Sequence, residues 1–196
     1  MCVHLQFSFE KATQALNFFA IKNDGHIDKL PALKLIFLAD RYHLRKYARP
    51  ITNAEYVAMQ YGPVASEVKD IAEASSFLSP IAKEYSKKYL KISGNKIKSI
   101  SGIDKEEFSS SDIEALEYVW KKFGKMQRLV DYTHEYPEWK KHELSLKNKS
   151  SIRMDLLDFL EDAPKGIDNF QLLNQEEKKL IASHLKELST VSEILG

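Results

Sequence analysis

The chain has one cysteine in 196 residues, seven glycines scattered singly, and no excess of either charge, with a formal net charge of +1. Each shortage removes a class of protein. A lone Cys2 forms neither an intrachain disulfide nor a thiolate-rich zinc site. Its place in the first two residues argues against a buried catalytic thiol, and the expected compartment is the reducing cytoplasm. Isolated glycines leave no phosphate-cradling loop and no Gly-x-Ser-x-Gly elbow. The longest apolar run, Leu35 to Ala39, spans five residues. A membrane-spanning helix needs about 20 and a signal peptide about 7 to 15, so neither is expected. The opening Met1-Cys2-Val3-His4-Leu5-Gln6 carries no basic leader.

What is present belongs to an ordinary globular chain, 43% apolar and 29% charged. That apolar share is enough to offset chain entropy, so a folded core is expected without metal or disulfide staples. The charge is uneven. Residues 1–82 carry nine Lys/Arg and eight Asp/Glu, residues 83–153 sixteen and eleven, and residues 154–196 four and nine. A basic middle and an acidic end can steer a partner or pair within the chain.

Helical periodicity dominates. One helix opens at Ser8 and stops at Asn23-Asp24-Gly25. A second follows Asp28, takes Pro31 in its first turn and ends before Pro50. Between residues 33 and 39 it is apolar around most of its circumference, the mark of a central helix. Residues 51–60 are ambiguous, with strand alternation at Tyr56, Ala58 and Gln60. Gly62-Pro63 reads as a break that launches a third helix to about Ser75. Residues 76–88 are lysine-rich and weakly patterned, and read as loop with a helical turn. Residues 89–92 and 97–100 flank a Gly-Asn centre and read as a hairpin, for which 51–60 is the available third strand. Helices then resume after Ser109-Ser110-Ser111 up to Gly124, over 126–136 up to Pro137, over 152–160, and after Asn174, whose pairing with Glu177 marks an N-cap. The fold expected is mainly α, a compact helical domain with a small antiparallel hairpin or three-stranded sheet. Ala163 to Asn169 reads as a joint between residues 1–162 and an acidic helical appendage, 163–196.

Chemistry is sparse. Asp40 and His43, three apart on a helix, can form a carboxylate–imidazole dyad or simply a local hydrogen bond. His134 and His142 are eight apart, wider than zinc helices use, so no metal is expected. Lys83, Lys87, Lys88, Lys91, Lys96 and Lys98, interleaved with Tyr85 and Tyr89, can track a nucleic-acid backbone. Lysine without a binding module fits a solubilised hairpin edge better, which disfavours nucleic acid. Tyr61-Gly62-Pro63-Val64 makes a sharp corner. It leaves two readings open: a turn with Tyr61 in the core, or a rigid aromatic platform for a partner.

Several pieces recur in one order. They are Lys34-Leu35-Ile36-Phe37-Leu38-Ala39-Asp40, His43-Leu44, Tyr47-Ala48-Arg49-Pro50-Ile51-Thr52, Glu55-Tyr56-Val57-Ala58 and Tyr61-Gly62-Pro63-Val64, and later Leu129 to Trp139 with Thr133-His134. This series resembles the Panacea domain, also called the SocA-like antitoxin domain, of bacterial and phage toxin–antitoxin pairs, over about residues 9–160. One departure is Ala48, where the family usually has glycine. The resemblance implies a helical, non-enzymatic protein without cofactor that neutralises a cognate toxin by direct binding. Arg49 and Tyr61 beside Gly62 and Pro63 are the expected contacts, with Tyr56, Trp139 and the acidic tail second. Trp139 reads equally well as a core residue. One alternative is an adaptor that delivers the toxin to a cytosolic protease. Another, of a different class, is a metal-assisted hydrolase using His134, His142 or Asp40. No membrane partner is expected.

Overall fold

A computed structural model describes residues 3–195, so Cys2 lies outside the described residues. Helix α1 (Phe9–Lys22) is capped by the Ser8 hydroxyl, which accepts from the Lys11 N–H. After strand β1 (His26–Asp28) comes α2 (Lys29–Tyr47), the axle of the fold. Every residue from Ala32 to Arg45 is buried. The apolar residues on all sides of α2 meet α1, α5 (Ser110–Phe123) and α6 (Leu129–His134). Phe37 lies edge-on to Tyr56, Tyr136 and Phe159, an aromatic cluster at the centre of the core.

Helix α2 ends earlier than Pro50. Ala48 adopts a left-handed conformation, φ 58° and ψ 20°, and closes the last turn through its N–H to the Leu44 carbonyl. The chain then turns around Asp40. That buried carboxylate accepts from the Ile51 and Thr52 N–H groups, the Thr52 hydroxyl and the Tyr56 hydroxyl. His43 belongs to a separate network. Its Nδ1 donates to the Arg49 carbonyl (2.6 Å) and its Nε2 meets the Ser111 hydroxyl. The spacing of three therefore makes no Asp40–His43 dyad, because loop 48–52 and α5 take up the two side chains.

The β content is two three-stranded antiparallel sheets rather than one. In the first, β2 (Tyr56–Met59) lies between β3 (Gly62–Ala65) and β6 (Ser151–Arg153). In the second, β5 (Lys96–Ser99) lies between β1 and β4 (Leu90–Ser93), so β1, not segment 51–60, completes the hairpin. The lysines of β5 are thus on a central strand, and β4 is the edge. Residues 62–65 are strand rather than the start of a helix; α3 begins only at Ser66 and runs to Glu73. Pro63 is tolerated because β3 is an edge strand, where the missing N–H removes no ladder bond.

Two further segments depart from expectation. Residues 80–89 form α4 (Pro80–Tyr89), with Ser79 as N-cap and Pro80 in the first turn; the apolar pattern is weak because only Ala82 and Ser86 are buried. Residues 151–160 form β6 and a 3-10 turn capped by Asp155, since pairing with β2 overrides local helix preference. Helix α7 (Pro137–Lys140) follows α6 directly. The last helix, α8 (Gln175–Leu195), opens on the expected cap: Asn174 accepts from Glu176 and Glu177 N–H, and Glu177 accepts from Asn174 N–H.

Charged groups lie inside this core. The Arg41 and Glu138 side chains are both fully buried, paired at 2.7 Å, with the guanidinium over the Tyr136 ring. Arg45 reaches the Phe159, Glu161 and Gln171 carbonyls and the Asp162 carboxylate. Two arginines of α2 thereby hold segment 159–171 onto the body. Ala163, Leu173, Ile181 and Leu185 add buried apolar surface to the same core.

Candidate functional site

The β2–β3 hairpin turns through Gln60 and Tyr61, and Tyr61 is 64% exposed at its tip. Everything behind the ring is fixed. Gly62 holds φ +98°, and a Cβ there would lie 2.9 Å from Lys34 Nζ and 3.0 Å from His134 Cδ2. Glycine is required both for the backbone angle and for the space. Lys34 Nζ donates to the Pro63 carbonyl at 2.8 Å, and the Trp139 indole donates to the Met59 carbonyl at 2.9 Å. The His134 ring stacks flat on Trp139, centroids 3.9 Å apart. Helices α2, α6 and α7 thus each supply one side chain that clamps the hairpin.

The clamp is electrostatically unusual. Lys34 is fully buried and makes no ion pair among the described residues; burial pulls its pKa down to about 7. His134 also titrates lower than usual, first because of burial and second because of the Lys34 charge. Beside Tyr61 lies a groove of about 440 Å³. Leu30, Leu33, Met59, Val64 and Leu146 give it an apolar wall, while Lys29, Lys149 and the Lys69–Glu73 pair stand on its rim.

The structure therefore brings Tyr61, Gly62, Pro63 and Trp139 together and places Arg49 and Tyr56 elsewhere. Trp139 is 3% exposed and Tyr56 equally buried, its hydroxyl on Asp40. The Arg49 guanidinium binds Asp112 and Ser109 at the start of α5. Lys34 escaped the sequence reading, although its position inside the stretch that is apolar all round pointed to a buried amine. The candidate hydrolytic groups do not converge. Among the described residues, no three His, Cys, Asp or Glu side chains form a metal-binding group. Nor is any helix there long and apolar enough to cross a membrane.

An exposed aromatic on an immobilised corner beside an apolar groove has the build of a protein-docking surface. Residues 33–140, from the middle of α2's first turns to the end of α7, match the family described as antitoxin SocA-like, Panacea domain, and the chain belongs to it. Membership suggests an antitoxin role, hence a toxin as the kind of partner and a non-enzymatic function. The match is shorter than the 9–160 read from the sequence, but it contains the whole hairpin and its clamp. No curated protein and no solved structure matches the chain.

Proposed function

We propose that the chain neutralises a toxin protein by direct contact, with Tyr61 as the central anchor and the adjoining groove as the seat for an apolar segment of that toxin. The observation that carries this reading is the contrast at one hairpin. Its tip shows a ring to solvent at 64%, while the residues behind it are locked by Lys34, His134 and Trp139. A preset aromatic loses little entropy on binding, and such residues dominate affinity at interfaces.

The test is co-expression with the toxin, with growth and co-purification as readouts. Tyr61 makes no side-chain hydrogen bond among the described residues, so Tyr61→Ala leaves the circular dichroism spectrum and melting temperature unchanged. Loss of a buried aromatic anchor is worth about 2 kcal/mol or more, roughly a 30-fold weaker complex, and growth protection fails. Full protection by a folded Tyr61→Ala chain refutes the assignment. Toxin half-life in the same cells separates blockade from delivery to a protease: blockade leaves it unchanged or longer, and delivery shortens it.

A further inference from the structure

Two exposed faces outside the Tyr61 groove are complementary to each other. Between α3, α4 and β4 runs a groove of about 310 Å³. Leu78, Ile92 and Ile100 line it together with Lys83, Lys87 and Lys91, and no acidic side chain does. None of these three lysines pairs with a carboxylate among the described residues, whereas eight other lysines do. Beside Leu78, the Phe77 ring is 88% exposed.

The second face is the outer side of α8. Its inner side is fixed: Ile181 and Leu185 are buried, and the Ser189 hydroxyl accepts from the His4 N–H at 2.8 Å. On the opposite side Leu180, Val191 and Ile194 are 72%, 51% and 76% exposed. Their spacings of eleven and fourteen put them in one line on an α-helix. Glu176 and Glu187 fall in the same line, while Lys179 and Lys186 fall about a quarter turn away. The stripe is acidic and apolar where the groove is basic and apolar. It turns outward from its own body, so it cannot fold back into its own groove.

We propose that α8 of one copy docks in the α3–α4–β4 groove of a second copy. The aliphatic stripe meets the apolar floor, and the glutamates meet the three lysines. The contact is head to tail, so each pair keeps one free groove and one free helix, and association continues into a ring or an open chain. A groove this short places the contact among small, transient interfaces, so it forms at high protein concentration and depends on charge.

Analytical ultracentrifugation of the full chain alone, with no toxin present, tests this independently of the Tyr61 assignment. In about 50 mM salt the weight-average mass rises with concentration, and in about 500 mM salt the association weakens at least ten-fold. Two doubly substituted chains carry the decision: Lys83→Glu with Lys87→Glu, and Glu176→Lys with Glu187→Lys. All four residues are exposed, so circular dichroism stays unchanged. Each variant alone is monomeric, because groove and stripe then bear the same sign. Mixed in equal amounts they associate, because each groove again faces a stripe of opposite sign. A monomer at every concentration, association that survives in either variant alone, or no association on mixing overturns the proposal.

Discussion

Replacing Lys34 with methionine keeps the stem and volume of the side chain and removes the amine. In the native protein that amine is fully buried and makes no ion pair among the described residues, and its pKa falls from 10.5 to about 7. Between those values the unfolded chain holds a proton that the folded chain has released. The unfolded state binds more protons there, so stability rises with pH across the window. The penalty is complete below about pH 7 and gone above 10.5. At about 1.4 kcal/mol per pH unit it is at most about 5 kcal/mol. Against this, methionine leaves the Pro63 carbonyl without its donor, at a cost of about 1–3 kcal/mol. The variant is therefore more stable than the parent near pH 7.5 by about 1–3 kcal/mol, and the difference shifts by roughly 2–3 kcal/mol in the parent's favour by pH 9.5. Urea denaturation of both chains at pH 7.5, 8.5 and 9.5 measures this directly. Staying below pH 10 keeps clear of the buried Tyr56 and Tyr136, whose titration burial moves upward. Parallel pH profiles for the two chains would show an amine of ordinary pKa and refute the reasoning. Growth protection is the second readout: with the Pro63 carbonyl released, the hairpin behind Tyr61 loosens, and protection drops even though the fold gains stability.

Two stability predictions follow from positions away from the hairpin. Ala48 pays for a left-handed backbone with about 1–2 kcal/mol, of which glycine would return about 0.4–1 through the unfolded chain. Ala48→Gly therefore raises the melting temperature by about 1–4 °C, and a lower value would contradict the strain. For the buried Arg41–Glu138 pair, Arg41→Met or Glu138→Leu alone costs about 3–5 kcal/mol by chemical denaturation. The double variant costs less than either, because Arg41 Nη1 and Glu138 Oε2 already lack partners and burial alone pushes the Glu138 carboxyl up. Losses that simply add would show that the two side chains act independently.

The elements legible from sequence are those whose signals are local. Ser8, Asn174 and the serines before α5 mark helix starts through their own hydroxyl and amide groups, and the Gly94-Asn95 centre marks the β4–β5 hairpin. What escaped depends on distant partners. Strand β6 exists because β2 offers it an edge some ninety residues earlier in the chain, and β1 joins β5 in the same way. Of the site, the hairpin corner was visible because Gly-Pro restricts its own backbone. Its clamp was not, since a lysine, a histidine and a tryptophan from three helices meet only after folding. Hydropathy also hides Lys34, Arg41 and Arg45 among the apolar residues of α2: it scores them as surface groups, whereas the fold supplies carbonyls and carboxylates for them inside.

The arginine latch also has a bearing on synthesis. Arg41 and Arg45 leave the ribosome early, but their acceptors lie at Glu138 and in segment 159–171. At about 5–20 residues per second, the two guanidiniums wait on the order of ten seconds for the groups that satisfy them. During that interval the sequence of the hairpin, residues 56–65, is already made, but the acceptors of the two arginines are not. A transcript truncated between residues 140 and 171 encodes the entire family-matching stretch but omits one or more of the Arg45 acceptors. Under the proposed toxin-binding role, a nonsense codon in the distal segment is expected to abolish growth protection although it spares every residue of the hairpin.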